Sequence, residues 1–365
     1  MSQSPFLTPG SSRGRRLRAA RRRRRRRLGA LGALALVALV ALAAQMALAG
    51  RSSRDHHHRA GDRGAAHAGG SASPARPRLS PDGLALAAPA LALRGISTPQ
   101  RDPVHAYFSR PPRAGLLFNL TTGQVLWQRN PYRRVPIASL TKMMTALLVV
   151  QSAPADAPVL ITRQAVDMGG SKVGVLPLGR HVKLESLLYG LLLPSGNDAA
   201  VALAQHVAGS VHAFVLRMNR QAAKLGLGCT RYSSPSGYYD RENFSCAADL
   251  AVLAHVDMEH RRIAKVVGTY EAILPFPIHG GKLFLYNNNP LLIYRYPGVT
   301  GMKTGQTEAA GRCLVATAER HGVRLGAIVL DSEAPGTQAR QLLDLGFERV
   351  YHQPVVAEAP FPPGV

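Results

Sequence analysis

The stretch Pro136-Ile-Ala-Ser-Leu-Thr-Lys-Met-Met-Thr-Ala-Leu147 decides the fold of this chain. Its apolar residues recur at helical spacing after Pro136, so we expect a helix to begin near Ser139. Residues three apart on a helix share a face, which places Lys142 one turn from the Ser139 hydroxyl. A serine becomes a nucleophile when a base takes its proton, and a lysine whose pKa is lowered can be that base. Alone, the same pattern also fits a capping serine beside a surface lysine.

Lysine is scarce in the chain, which gives its positions weight. Of 45 basic residues only seven are lysine, and Lys142 and Lys303 both lie in short polar segments. Arginine supplies charge equally well, but it does not lose its proton and therefore cannot act as a base. Lysine at these two positions of an arginine-rich chain indicates chemistry.

A second polar segment, Ser195-Gly-Asn197, ends the apolar run 191–194. Polar side chains in this position must be buried with partners or face a cleft. Ser195 can pass a proton, and the Asn197 amide offers both a donor and an acceptor. Taken alone, the segment also fits a turn that caps a helix.

The third segment, Lys303-Thr304-Gly305, is expected on a strand beside the cleft. A cation and a hydroxyl there would suit a substrate carboxylate, and a glycine lets a substrate backbone approach closely. The backbone N–H groups of Ser139 and Gln306 would form an oxyanion hole. An exposed turn is the alternative interpretation.

Coarse patterning predicts one α/β domain over residues 101–350. The apolar runs 114–119 and 124–128 read as a hairpin, 313–318 and 325–330 as strands, and most of the sequence between them as helices. Strands at both ends of the domain are expected to meet in one sheet. The last residues, 351–365, are predicted to be Pro-rich coil.

The N-terminal hundred residues predict export. Residues 1–27 hold eleven arginines and no acid, and the uncharged, apolar segment 28–49 is long enough to span a bilayer. Arginine on the N-terminal flank places the tail in the cytoplasm and the rest of the chain outside it. The segment is predicted to be a retained anchor or a signal peptide cleaved after Ala49. Residues 50–100 are predicted to be a flexible linker.

The net charge of +24 does not predict nucleic-acid binding. Residues 1–80 carry +15 of this charge, and the other 285 residues carry +9. The run Arg21–Arg27 also lacks interleaved aromatic residues on which bases would stack.

Three cysteines leave two possibilities open. Cys229 and Cys246 flank a Ser-, Gly- and Tyr-rich loop and form either a disulfide or two unpaired thiols. Cys313 lies in an apolar run and is expected to be a small core residue.

The three segments in this order resemble the low-molecular-mass penicillin-binding proteins, the serine D-alanyl-D-alanine carboxypeptidases of peptidase family S11. Residues 104–350 share the likeness, which extends to four longer stretches: Thr122-Gly-Gln-Val-Leu-Trp127, Leu188-Tyr-Gly-Leu-Leu-Leu-Pro-Ser-Gly-Asn-Asp-Ala-Ala200, Tyr296-Pro-Gly-Val-Thr-Gly-Met-Lys-Thr-Gly305 and Leu342-Leu-Asp-Leu-Gly-Phe347.

The resemblance implies a β-lactamase/D,D-peptidase-like α+β fold, in which a five-stranded antiparallel sheet is flanked by helices and accompanied by an all-helical subregion. Ser139 would be acylated by peptidoglycan stem peptides, with Lys142 as its base, and β-lactams would acylate it as substrate mimics. Ser195 and Asn197 would relay the proton and hold the peptide amide. Four further residues would bind the substrate, namely Lys303, Thr304, Gly305 and Gln306. No metal or cofactor is implied.

Three departures from the family pattern leave alternatives open. Many members carry an arginine for the substrate carboxylate where this chain has Pro335. Their His-x-Ser-Thr segment reads Asn243-Phe-Ser-Cys246 here. We also expect no counterpart of the C-terminal β-domain and amphipathic tail of many relatives. A D,D-endopeptidase or transpeptidase would use the same residues. A β-lactamase of class A would need a Glu-x-x-Leu-Asn segment after Ser195, which the sequence lacks. A catalytically silent wall-binding protein would need neither Ser139 nor Lys142.

Overall fold

The structure, a computed structural model, describes residues 78–96, 98–238, 242–354, 361–362 and 365. Its strands are β1 (Ala114–Asn119), β2 (Val125–Arg129), β3 (Val135–Pro136), β4 (Pro158–Leu160), β5 (His181–Lys183), β6 (Phe244–Ser245), β7 (Glu271–Pro275), β8 (Lys282–Tyr286), β9 (Val299–Thr307), β10 (Gly311–Arg320) and β11 (Val323–Ser332). Its α-helices are α1 (Lys142–Ser152), α2 (Arg163–Val166), α3 (Leu184–Leu192), α4 (Asn197–Ala208), α5 (Val211–Lys224), α6 (Ala247–Glu259), α7 (Arg261–Val267), α8 (Pro290–Ile293) and α9 (Pro335–Leu345). Short 3-10 turns cover Pro99–Arg101 and Ala138–Thr141, and a π-helical turn covers Gly346–Val350.

Five strands form one antiparallel sheet in the order β2-β1-β11-β10-β9. The first and last strands of the domain meet because β1 pairs with β11, with Leu116 opposite Ile328. This confirms the predicted α+β class, the hairpin of β1 and β2, and the sheet that joins both ends of the domain. Strand β9, which carries the third motif, lies at one edge.

Both faces of the sheet are covered, which explains why its strands read as apolar runs. Side chains alternate between the two faces along a strand. Leu116 and Phe118 pack with the buried side chains of the helical region, whereas Leu117 between them packs with Leu342 and Phe347 on the opposite face. Each face therefore has its own apolar core.

Helix α1 lies at the centre of the helical region. Every residue from Lys142 to Val150 is buried, and the helix packs against α3, α4 and α6. A helix that is buried on all sides needs no amphipathic stripe. This position brings the N-terminal end of α1 to the junction between the helices and β9.

The start of α1 differs from the expectation in one respect. The α-helix begins at Lys142, and Ser139 lies on the preceding 3-10 turn, Ala138–Thr141. Ala138 has a φ of 46°, a left-handed conformation that a non-glycine residue rarely adopts. The spacing of Ser139 and Lys142 is three residues in either conformation, so the two side chains still approach each other.

The linker predicted for residues 50–100 is overturned from residue 78 onward. Leu91 and Ile96 are buried in the core cluster, and Arg94 pairs with the hairpin through hydrogen bonds to Gly123 and Val125. The segment is rich in Ala and Pro and has no periodicity, and its contacts are with distant parts of the chain, such as the hydrogen bond from the Ala87 backbone N–H to the Ala223 carbonyl oxygen.

Several predictions concern residues outside the described ranges. They are the arginine-rich tail 1–27, the membrane segment 28–49, the linker up to residue 77 and most of the C-terminal coil. Among the helices that the structure does describe, none is by itself long and apolar enough to cross a membrane; α4 and α5 reach that standard only as a pair bent by 83°.

The two possibilities for Cys229 and Cys246 are resolved in favour of a disulfide. Its loop spans 17 residues and connects the segment after α5 with the start of α6. Cys313 is buried on β10, as expected for a core residue.

Candidate active site

Ser139 is presented by a turn that two glycines allow to pack closely. A Cβ atom on Gly237 would lie 1.9 Å from the Ala138 carbonyl oxygen, and one on Gly305 would lie 3.1 Å from the Ser139 backbone nitrogen. Gly237 also has a φ of +73°, which glycine adopts without a steric penalty. The turn is therefore fixed between the 233–238 segment and the end of β9, with Ser139 half-buried.

Lys142 is fully buried and makes three short polar contacts. Its Nζ lies 2.8 Å from Ser139 Oγ, 2.7 Å from Asn197 Oδ1 and 2.8 Å from the Ser236 carbonyl oxygen. The last two atoms can only accept hydrogen bonds. A neutral amine has two N–H groups, which these acceptors use, and its lone pair is left for the Ser139 hydroxyl.

The surroundings of Lys142 favour this neutral form. Burial is the main cause that holds its pKa well below the ordinary value, and the positive charge of Lys303 lowers it further, while Asp198 acts in the opposite direction. Removing an ammonium group from water disfavours its charged state, and a nearby like charge does the same. The geometry and the electrostatics thus agree on a base next to Ser139.

Asn197 orients the Lys142 amine. Its Oδ1 accepts from Lys142, and its Nδ2 donates to the Gly169 carbonyl oxygen at 2.8 Å. Both ends of this amide are engaged by the protein, so the structure places Asn197 behind Lys142. The sequence interpretation had given it the substrate amide.

Ser195 has an unusual environment for a hydroxyl. It is 5% exposed, lines the cleft, and has a φ of 67°. Within the described part of the chain its Oγ has no hydrogen-bond partner. An unpaired buried hydroxyl costs free energy, and this one is available to a substrate or to a proton in transit.

The third motif lies on β9, as predicted. Lys303 is 1% exposed, its Nζ donates to the Thr304 carbonyl oxygen at 3.0 Å, and burial lowers its pKa to about 7. Thr304 lies at the wall of the cleft, and Gly305 packs against the Ser139 turn.

These residues surround a cleft of about 340 Å³ between the helical region and the edge of the sheet. Five of the eight predicted site residues line it, namely Ser139, Ser195, Thr304, Gly305 and Gln306, and Lys142 lies directly behind Ser139. The other two lie next to these residues: Asn197 accepts a hydrogen bond from Lys142, and Lys303 donates one to the Thr304 carbonyl oxygen.

The sequence interpretation missed two groups at this site. The Ser236 carbonyl oxygen accepts from Lys142, and a backbone group leaves no mark in a sequence. Asp198 fixes the adjacent loop by accepting from the Val173 and Gly174 backbone N–H groups. The sequence did carry a signal for Asp198, because it is an acidic residue in the first turn of α4, directly after the polar segment 195–197.

The segment Asn243-Phe-Ser-Cys246, which departs from the family pattern, connects parts of the protein to one another. Asn243 Nδ2 donates to Thr141 Oγ1 at 2.5 Å, and its Oδ1 accepts from the Ser233 backbone. Ser245 pairs with Thr230, and Cys246 forms the disulfide. Asn243 therefore ties the segment that carries Ser236 to the turn that carries Ser139.

Comparison with known proteins places this geometry in context. A family model described as D-alanyl-D-alanine carboxypeptidase (Peptidase_S11) matches residues 111–334. The D-alanyl-D-alanine carboxypeptidase DacF of Bacillus subtilis is 34% identical over 251 residues, which cover 67% of this chain and 64% of that protein. The D-alanyl-D-alanine endopeptidase of Pseudomonas aeruginosa is 35% identical over 263 residues, 65% of this chain and 83% of that one.

Solved structures agree with the sequence relatives. The Streptomyces K15 DD-transpeptidase superposes with a TM-score of 0.62 at 31% identity, covering 67% of this chain and 99% of the other. The matched region spans nearly the whole of the Streptomyces K15 DD-transpeptidase. It spans less than two thirds of the DacF sequence.

Proposed function

The chain belongs to the D-alanyl-D-alanine carboxypeptidase family, peptidase family S11, and we propose on this premise that it removes the terminal D-alanine from peptidoglycan stem peptides through an acyl-enzyme on Ser139. The observation that carries the proposal is the position of Lys142 Nζ, 2.8 Å from Ser139 Oγ with its two other contacts on obligate acceptors.

Acylation uses groups already in place. Lys142 takes the Ser139 proton as Oγ attacks the carbonyl carbon between the two D-alanines. The Ser139 and Gln306 backbone N–H groups stabilise the oxyanion of the tetrahedral intermediate. The proton that Lys142 took passes through Ser195 to the nitrogen of the departing D-alanine, which returns Lys142 to its neutral form, and the C–N bond breaks to leave an ester on Ser139. Water then attacks this ester with Lys142 again as base. Lys142 returns the proton to Ser139 Oγ as the ester C–O bond breaks, and the shortened peptide leaves.

Substrate binding falls to the edge of the sheet. The Thr304 hydroxyl lines the cleft and suits the terminal carboxylate, while Lys303 lies behind it as a buried cation. Gly305 leaves room for the peptide backbone beside Ser139. β-Lactams, whose ring amide mimics the scissile peptide, would acylate the same serine.

Related reactions on the same residues are a second candidate. Relatives named endopeptidase and transpeptidase match the chain about as well as the carboxypeptidases do. A β-lactamase finds less support, because the described residues that line the cleft include no acidic side chain to activate water for rapid deacylation.

The site of action is proposed to be the outer face of the cytoplasmic membrane. The arginine-rich residues 1–27 followed by the apolar segment 28–49 support export, with the segment retained as an anchor or cleaved after Ala49.

D-Alanine release from a labelled stem pentapeptide tests the proposal. The wild type should release D-alanine, Ser139→Ala should release none, and Ser152→Ala, which changes an exposed serine at the end of α1, should match the wild type. Absence of release from the wild type, together with no labelling of Ser139 by fluorescent penicillin, would contradict it. Transfer to an amine acceptor in place of hydrolysis would identify a transpeptidase.

A further inference from the structure

Arg312 on β10 lies on the same face of the sheet as Thr304. The pairing of β9 with β10 is continuous here: Arg312 stands opposite Gln306, and Leu314 opposite Thr304. Paired residues share a face, and so do alternate residues along one strand. Arg312 and Thr304 are therefore diagonal neighbours across the pair, at roughly 7–8 Å between backbones, which a long side chain spans.

Arg312 also lines the cleft that holds Ser139. It is half-buried there, and Thr304, Gln306 and Pro335 line the same cleft. Among the described residues of this lining, Arg312 has the one charged side chain. The cleft thus presents a guanidinium beside the hydroxyl that suits a carboxylate.

Neither of the two other nearby cations has this position. Lys303 is buried, donates to the Thr304 backbone, and has a pKa lowered to about 7, so it is only partly charged at neutral pH. Arg340 on α9 pairs with Asp344 at 3.6 Å and is not among the described residues that line the cleft. Pro335, at the first turn of α9, has no charge to offer.

We propose that Arg312 binds the C-terminal carboxylate of the substrate together with Thr304 and so determines specificity for a free terminal D-alanine. The inference rests on the proposed function and names its specificity residue. A guanidinium stays charged at all relevant pH values and bonds a carboxylate with two parallel N–H groups, which a lysine cannot do.

A pair of substrates separates this role from a structural one. Diacetyl-L-Lys-D-Ala-D-Ala carries the carboxylate, and its C-terminal amide does not. Arg312→Gln should lower kcat/KM for the acid about 10- to 100-fold, the usual range for a lost charge-assisted bond, and should change kcat/KM for the amide by less than about twofold. Arg312→Lys should retain part of the preference. Arg349→Gln, which removes an exposed arginine after α9, should behave as the wild type.

Two outcomes overturn the inference. In one, Arg312→Gln cleaves the acid as fast as the wild type does. In the other, Arg312→Gln loses kcat/KM equally on both peptides while its thermal midpoint is unchanged. If Arg312→Gln does not fold, Arg312→Lys is measured in its place, and an equal loss of kcat/KM on both peptides overturns the inference in the same way. If the wild type releases no D-alanine at all, the proposed function fails separately. The role of Arg312 is then tested by calorimetric titration of the two peptides into Ser139→Ala and into the Ser139→Ala, Arg312→Gln double variant. The double variant should lose affinity for the acid and keep its affinity for the amide.

Discussion

At the residue scale, Lys142 is held by three short contacts that are compatible with a neutral amine. Two acceptors, Asn197 Oδ1 and the Ser236 carbonyl oxygen, take its N–H groups, and the third direction faces Ser139 Oγ. Burial supplies the larger part of the lowered pKa, and Lys303 the next largest. Exclusion of water and a second cation therefore both favour the neutral form of Lys142, and the described residues that line the cleft include no carboxylate side chain.

Replacing Ser195 should separate activity from stability. Ser195→Ala removes a buried hydroxyl that has no partner among the described residues, so the thermal midpoint should stay within about 1 °C. A lost proton relay typically lowers a rate about 10²- to 10⁴-fold, and kcat for D-alanine release should fall within that range. Activity within twofold of the wild type would exclude the relay role.

The charge of Lys303 should be visible in the pH profile of acylation. Lys303→Gln removes a positive charge that opposes protonation of Lys142, so the pKa of Lys142 should rise. Because the neutral amine is the base, the acidic limb of the acylation rate should move to higher pH, measured with a chromogenic β-lactam. Lys183→Gln on the exposed edge of β5 is the control and should leave the limb in place. A limb that stays in place or moves to lower pH in Lys303→Gln would refute the coupling.

Much of the site could be predicted at this scale, because the side chains that do the chemistry belong to short segments. Ser139 and Lys142 are close for any helical turn, and the polar segments at 195–197 and 303–305 end at the same cleft. The carbonyl of Ser236 could not be predicted, since every residue has one. Neither could the place of Asn197, because its amide fits a substrate and a lysine equally well.

At the scale of elements, the turn before α1 depends on a glycine from a distant segment. Gly237→Ala places a Cβ 1.9 Å from the Ala138 carbonyl oxygen, and Gly209→Ala, also at positive φ, meets nothing within 4 Å. Both variants should lose about 1–2 kcal/mol of unfolding free energy to backbone strain. Gly237→Ala alone should displace the Ser139 turn and lower acylation by about 100-fold.

Comparison of the two variants gives the control directly. Urea unfolding measures the shared strain, and the rate of labelling by fluorescent penicillin measures the displacement. Equal labelling rates in Gly237→Ala and Gly209→Ala would mean that the turn does not depend on the contact with Gly237.

Local sequence patterns predict the strands and helices, but not the features that depend on distant contacts. The strands and helices predicted from apolar spacing are present, and α9 starts at Pro335, a residue suited to the first turn of a helix. The 3-10 turn at Ser139 could not be predicted, because Gly237 and Gly305 impose it from afar. Residues 78–96 read as a linker because their fit depends on the hairpin and on α5 rather than on their own periodicity.

At the scale of the whole molecule, the disulfide should stabilise the helical region. It closes a loop of 17 residues, for which chain-entropy arguments give about 3 kcal/mol. Cys229→Ala with Cys246→Ala should lower the free energy of unfolding and the urea midpoint, and the reduced wild type should match the double variant. A midpoint equal to that of the oxidised wild type would show that the bond adds nothing to stability.

The central claim is that a neutral Lys142 activates Ser139, and mass spectrometry of the penicillin-treated protein tests it most directly. The wild type should carry one penicilloyl group, mapped to Ser139. Lys142→Arg keeps a cation but cannot accept the proton, and its acylation rate should fall by about 10²- to 10⁴-fold. An adduct on a different residue, or a Lys142→Arg variant that acylates at the wild-type rate, would contradict the account.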